Sequence, residues 1–268
     1  MDNSIKEKVD VQPAQDIDYD KLLQAILEIG EQMLIAGAEV SRVEDSIIRL
    51  CQSYDCYKVN VFIITSNMQV TMITPKGNIC TQIRRVIDYQ VNFDRLDYLN
   101  DLSRKICREK YPVDQIYVEL EKVMNRPSGG LCRNIFASIL VSAGFAVFFS
   151  GSFRDTISSA ILGVIISLLN NIVFKKEKNL FVSSFAVSFI SGVSAFALVL
   201  TRIGSNVNII MIAGIMLLIP GIAMTNAIRD MLTGDIATGT LRLLNSVMIA
   251  ISIASGFALS IILGGRFL

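Results

Sequence analysis

Asn226, Arg229 and Asp230 stand at i, i+3 and i+4 within the stretch Ile219-Pro220-Gly221-Ile222-Ala223-Met224-Thr225-Asn226-Ala227-Ile228-Arg229-Asp230. On a helix the three polar groups share one face. A guanidinium forks a carboxylate with two parallel N–H bonds, and a carboxylate receives an ammonium. Arg229 and Asp230, with Thr225 and Asn226 beside them, could therefore hold a small zwitterion. On the same residues, Arg229 could equally be an interface anchor with Asp230 its solvated neighbour. Just upstream, Pro220 removes a helix hydrogen bond and clashes with the carbonyl four residues back, while Gly221 lets the freed backbone bend. A broken helix is predicted there. Interrupted helices near membrane depth expose backbone groups and helix ends that bind ions or carboxylates, and they persist only where protein or a water-filled cavity surrounds them. Pro220 and Gly221, with Asp230 and Asp235, are thus the candidates for gating or coupling.

The remaining chemical inventory is restrictive. The chain has no histidine, which removes Ser/His and Cys/His catalysis, histidine-based zinc sites and an imidazole proton relay. Any proton coupling then falls to carboxylates, of which Asp230 and Asp235 are the nearest to the break. There is no GxxxxGK[ST] phosphate loop, no nucleophile elbow and no metal-ligand cluster. No ATP-driven motor, cofactor, metal or enzymatic activity is expected. A formal net charge of +1 argues against nucleic acid, whose partners carry a basic patch or stripe. The five cysteines, Cys51, Cys56, Cys80, Cys107 and Cys132, are odd in number and read as free thiols in a reducing compartment. The opening MDNSIKEKVDVQPAQD is polar and lacks the apolar core of a signal peptide. Residues 1–17 are expected to form a disordered tail.

What must position these residues is a membrane. Mean hydropathy is +0.51 with 18% charge, but most of the charge precedes Arg133. Beyond it, charges border five uncharged runs: Asn134–Phe153, Thr156–Phe174, Asn179–Thr201, Ile203–Ile228 and Leu243–Gly265. Each reaches or approaches the roughly 20 residues that a helix needs to cross a bilayer core. Five crossings place the two chain ends on opposite sides. With the N-terminal half inside, the inner flanks carry Arg126, Arg133, Lys175, Lys176, Lys178, Arg229 and Arg242, against Arg154, Arg202 and Arg266 outside. That bias predicts a cytoplasmic N-terminal domain and an outer C-terminus in a plasma (inner) membrane protein.

The first half reads as a small α+β domain over 18–126. Asp18 can cap one long helix running to about Cys51, on the spacing of Leu22, Leu23, Ile26, Leu27, Met33, Leu34, Val40, Val43 and Ile47. The period then becomes two over Lys58–Thr65 and Met68–Thr74. Pro75-Lys76-Gly77-Asn78 turns the chain into a third strand through Ile79, Thr81 and Ile83, which makes a three-stranded antiparallel meander. Helices over Asp94–Tyr111 and Val113–Asn125 follow, then a linker over 127–133. In the membrane half, small residues recur every four positions, as Ser184, Ser188 and Gly192 and again as Ala250, Ala254 and Ala258. Such faces let helix backbones approach closely, whether within this chain or with another.

Two motifs resemble the threonine/serine exporter family: Gly37-Ala38-Glu39-Val40-Ser41-Arg42-Val43-Glu44-Asp45-Ser46-Ile47-Ile48-Arg49-Leu50, and the PGIAMTNAIRDMLTGD stretch from Pro220. The matching positions are Gly37, Arg42, Glu44 and Asp45 in the first, and Pro220, Gly221, Asn226, Arg229, Asp230, Gly234 and Asp235 in the second. The chain departs from the pattern at Glu39-Val40-Ser41, where a bulkier, often aromatic residue precedes the arginine. The resemblance implies a cytoplasmic domain and five spans, completed by a second block of about five spans that is fused or carried by a separate small membrane subunit. It implies that this chain is the larger subunit of the split, two-component form. The function implied is secondary, ion-driven export of small carboxylate-bearing metabolites: threonine- or serine-type amino acids, or dicarboxylates such as succinate. Arg42, Glu44 and Asp45 would then be either a solvated helix face or a contact from the domain to the pore. A homo-oligomer is possible on the same residues. The competing reading is a membrane-anchored hydrolase or sensor whose N-terminal domain carries the activity.

Overall fold

A computed structural model describes residues 17–64, 66–86, 91–127, 129–174, 177 and 179–266. The expected tail over residues 1–16, Thr65 of the first strand, Ser128 of the linker, and the lysines Lys175, Lys176 and Lys178 of the orienting turn lie outside the described residues. So do Phe267 and Leu268 at the C-terminus. The chain forms two compact units: one of residues up to Ala38 together with Arg42–Arg126, and one of Glu39–Ser41 together with Pro127–Leu268.

In the N-terminal unit, α1 (Tyr19–Ile35) starts where Asp18 Oδ1 accepts the backbone N–H groups of Asp20 and Lys21, both at 3.1 Å. Capping of this kind satisfies donors that the first turn otherwise leaves open. Leu22, Leu23, Ile26, Ile29 and Met33 are almost completely buried, so α1 is the central helix of the unit, packed on the sheet and on the later helices. The single long helix expected from the apolar spacing is in fact two. Gly37 adopts φ +96°; its N–H bonds the Leu34 carbonyl and that of Ala38 bonds Met33, each at 3.0 Å. This is a Schellman ending, in which a residue in the left-handed conformation stops the helix and returns two amides to its last carbonyls. The chain then restarts as α2 (Val40–Ser53).

The meander is present as β1 (Tyr57–Ile64), β2 (Asn67–Ile73) and β3 (Ile79–Arg85), antiparallel in that order. Its register pairs Phe62 with Gln69 and Gln69 with Ile83. Alternation puts Ile63, Met68, Val70 and Met72 inward, all buried. Gly77, at φ +88°, makes the second turn, donating to the Thr74 carbonyl at 2.8 Å. Helices α3 (Phe93–Glu109), capped by Asn92, and α4 (Val113–Met124), preceded by Pro112, complete the unit.

The second unit is helical: α5 (Leu131–Phe148), α6 (Phe153–Leu168) running on into a π-helical turn (Leu169–Val173), α7 (Leu180–Leu200), α8 (Val207–Leu218), α9 (Gly221–Leu232) and α10 (Ile236–Gly264). Four of these segments are long and apolar enough to cross a membrane, and α8 with α9 makes a fifth if that pair, bent by 50°, counts as one span. The first helix begins inside the expected linker. The last begins at Ile236 rather than Leu243, because Arg242 is tolerated within it. The twelve residues of α8 rise only about 18 Å, short of a ~30 Å core without α9.

Packing in this unit depends on small residues. A side chain at Gly192 would fall 1.9 Å from Ser260 Oγ, and one at Gly256 would fall 2.6 Å from the Phe185 carbonyl oxygen. The Ser188/Gly192 face of α7 therefore meets α10 in the same chain. On α10 the contacting face is Gly256 and Ser260, both buried, whereas Ala254 and Ala258 are exposed. The alanine stripe read from the sequence is not the surface used here, since a glycine admits a backbone about one methyl closer than an alanine does. Leu162, Ile166, Val187, Phe196, Ile210 and Phe257 fill the core among the helices.

Candidate functional site

The broken helix lies where the sequence places it. Ile219 leaves α8 in an extended conformation at ψ 127°, as a residue before proline is biased to do. Pro220 then precedes α9, and the Gly221 N–H turns back to the Ile219 carbonyl at 2.8 Å. Thr225 is exposed, and its hydroxyl donates to the Gly221 carbonyl at 3.0 Å.

Helix α9 ends by the same device that separates α1 from α2. Gly234 has φ +107°, its N–H reaches the Met231 carbonyl at 3.3 Å, and the Asp235 N–H reaches that of Asp230 at 2.9 Å. Asp235 so occupies the capping position of α10 and makes no side-chain cap. The two helices fold back on each other at a point where a Cβ on Gly239 would fall 2.6 Å from the Ala227 carbonyl oxygen. Only glycine permits that approach.

The close approach brings together residues twelve apart in sequence. Arg242 Nη1 donates to Asp230 Oδ2 at 2.7 Å, and the side chains are 13% and 1% exposed. Asp230 Oδ1 is buried and makes no hydrogen bond of good geometry among the described residues, while the Val40 backbone N–H lies within hydrogen-bonding reach of this carboxyl. A carboxylate with one oxygen on a guanidinium and the other under-satisfied keeps acceptor capacity for a further donor. Its neighbour Arg229 is half-exposed and bonds Glu39 through Nη1, and Glu39 is one of the three residues 39–41 that belong to this unit. Asn226, half-buried, stands one turn before Asp230, and Thr238 is buried on α10. Arg229 and Asp230 are thus each held by a partner of opposite charge, neither of which the spacing in the sequence assigns. For Arg242 a signal was present: a Thr-Gly-Asp helix ending between two helical patterns implies a hairpin that faces the two charges.

Other residues matter that the motifs do not flag. Asp155, 2% exposed, accepts four bonds. Its Oδ1 takes the N–H groups of Ser205 and Asn206 at 2.7 Å each, and its Oδ2 takes the Ser152 N–H at 3.0 Å and hydroxyl at 2.7 Å. A fully satisfied buried carboxylate pins the turn before α6 to the turn before α8. Between α5 and α6, Asn134 donates to Asn171 at 3.1 Å. In the N-terminal unit, Arg42 and Asp45 lie on the exposed side of α2, and Glu44 is half-buried. Among the described residues no group of three or more metal-ligating side chains converges.

A family model described as "Putative threonine/serine exporter" matches residues 24–264. A "Probable threonine/serine exporter" of Mycobacterium tuberculosis (strain ATCC 25618 / H37Rv) is 24% identical over 260 residues, spanning 92% of this chain and 47% of that relative. The chain therefore spans about half the length of the relative it matches. No solved structure matches the chain.

Proposed function

Because this chain belongs to the threonine/serine exporter family, we propose that it is one half of a secondary exporter of small hydroxy-amino acids, with the α9–α10 hairpin as the substrate site. The observation that carries the reading is the buried Asp230–Arg242 pair beside a broken helix. Ionisable residues inside membrane helices are expensive and mark transport pathways by default. A zwitterion is the ligand class that can enter such a pair and leave no net charge behind: its ammonium goes to Asp230 and its carboxylate to Arg242 or Arg229. Asn226, Thr225 and Thr238 line the same hairpin and offer polar partners to a side-chain hydroxyl. A dicarboxylate such as succinate would occupy the guanidinium but leave Asp230 facing like charge, which costs several kcal/mol in a low-dielectric site. Threonine and serine are therefore favoured over succinate.

In this reading Pro220 and Gly221 form the hinge at which α9 moves against α8. Asp230 and Asp235 are the carboxylates available to couple export to an ion gradient. The N-terminal unit faces the cytoplasm of a plasma (inner) membrane protein, the C-terminus lies outside, and a separate membrane subunit of about five spans supplies the second half. The relative's length, about twice the aligned region, supports a second half of similar length. The test is efflux of labelled threonine, serine and succinate from vesicles holding this chain alone, a candidate small five-span subunit alone, and both. Threonine or serine efflux only when both are present is expected. Efflux by this chain alone as a monomer would exclude the two-chain arrangement, and succinate as the preferred substrate would exclude the zwitterion site.

A further inference from the structure

The N-terminal unit contains a feature that the transport reading does not use. Between α2 and α3 lies a cleft of about 930 Å³, and four arginines line it: Arg42 and Arg49 from α2, Arg104 and Arg108 from α3. The carboxylate in the lining is Asp45, so the walls carry positive charge in excess. All these residues belong to the N-terminal unit.

Three observations separate this cleft from an ordinary solvated helix face. First, Arg42 and Arg49 recur at i and i+7 on α2 and Arg104 and Arg108 at i and i+4 on α3, and all four line the one cleft. Like charges at i, i+4 cost a few tenths of a kcal/mol when nothing binds them. Second, the cations in the lining are arginines alone. Lys105 sits on the same α3 and Lys110 caps its end, and both are absent from the cleft. Guanidinium is the planar fork that binds phosphate and carboxylate through two parallel bonds, whereas lysine is a strongly hydrated point charge. Third, the ion pairs that Arg49 and Arg104 make are weak. Arg49 meets Asp45 at 3.2 Å and Arg104 meets Asp101 at 2.6 Å, and in both pairs each side chain is more than half exposed. Exposed pairs contribute at most about 1 kcal/mol, so a multivalent anion can displace them. The volume lies in the range of about 300–1,000 Å³ of sites for small organic ligands.

We propose that this cleft is a binding site for a small metabolite bearing at least two anionic groups, phosphate or carboxylate, bridged between the α2 and α3 arginines. The half-buried Cys107 thiol also lines the cleft, and Arg49 is close enough to act on its ionisation from the opposite helix. Cys107 thus serves as a local reporter.

The test uses the full-length chain in detergent, so it does not depend on export activity or on a second subunit. Inorganic pyrophosphate, magnesium-free ADP and citrate are titrated calorimetrically at low salt, and maleimide labelling of Cys107 is followed in a Cys132→Ser background. At least one probe is expected to bind saturably with one site per chain and to slow Cys107 labelling; pyrophosphate and ADP against citrate distinguish a phosphate from a carboxylate ligand. Arg42→Gln and Arg108→Gln, both at exposed positions, should each weaken binding by roughly tenfold or more, about 1.4 kcal/mol. Lys105→Gln removes the same charge from the same helix outside the cleft and should change binding by less than about twofold. The proposal is overturned if none of the three probes binds saturably, or if Lys105→Gln weakens binding as much as the two arginine variants do.

Discussion

Asp230 is the residue on which most depends, because its environment assigns it two duties at once. It accepts from Arg242 in a nearly solvent-free site and retains an under-satisfied oxygen. Removing one partner of a buried pair typically costs about 3–5 kcal/mol, since the other charge is left alone, whereas replacing both members by neutral groups can be close to neutral. Arg242→Gln should therefore lower the melting temperature in detergent markedly, and Asp230→Asn with Arg242→Gln should recover most of that loss while export stays absent. Recovery of export in the double variant would show that the pair is structural only. The cysteines make a second prediction at this scale. Burial pushes the Cys51 thiol up to about 12, and burial together with the Cys80 and Asp55 charges pushes Cys56 up to about 11. In the unfolded chain these thiols ionise near pH ~8.5. Between those values the folded state holds protons that the unfolded state has released, so stability is complete below about pH 8.5 and falls as pH rises through 11 to 12. Thermal unfolding across pH 8 to 11 should show that fall, less steeply in Cys51→Ala. At pH 7.5, maleimide should label Cys132 readily, Cys107 slowly, and Cys51, Cys56 and Cys80 only after denaturation.

At the scale of elements, the same ending recurs. Gly37 and Gly234 each stop a helix in the left-handed conformation and send the chain back as a second helix. After Gly37 the following helix carries the motif residues Arg42, Glu44 and Asp45; after Gly234 it carries Arg242, which lies outside the motif. Glycine also decides helix approach. Gly256 lets α10 touch the backbone of α7, where an added side chain would fall 2.8 Å from Ser188 Cβ. Gly256→Leu should destabilise the unit by about 1–3 kcal/mol or more through overpacking, read as a lower melting temperature. Ala254→Leu and Ala258→Leu, at exposed positions, should stay within about 0.5 kcal/mol of the parent. A variant of either alanine that melts normally yet loses efflux with the second subunit would identify that stripe as the subunit contact.

At the scale of the whole molecule, the chain carries one mostly apolar helical unit and one α+β unit, and about half the length of its relative. Transporter folds are commonly assembled from two related halves around a central site, and in the proposed function the four or five candidate spans of this chain provide one of them. Reconstitution of this chain with a small five-span subunit should therefore give threonine or serine efflux that neither chain gives alone, measured as loss of labelled substrate from vesicles. Pro220→Ala in that pair should reduce the rate more than the binding of substrate, since it alters the break proposed as the hinge without touching the charged groups.

Run length, alternation and turn residues are local, and what depends on them was legible in the sequence: the apolar runs, the break at Pro220, the meander over residues 57–85, the cap at Asp18 and the family resemblance. The end of α1 at Gly37 was legible in principle, but a continuous apolar spacing outweighed a single glycine whose φ is unknown until the chain folds. What only the tertiary structure decided are pairings across distance. Asp230 and Arg242 lie 12 residues apart, and Arg229 and Glu39 lie 190 apart. Whether such groups meet is set by the rotation and separation of packed elements, and for Asp230 and Arg242 the approach of α9 to α10 is fixed by Gly239 to within the width of a methyl group. The arginine cleft follows the same logic: each helix shows its own spacing, but convergence of two faces is a property of how the helices are placed.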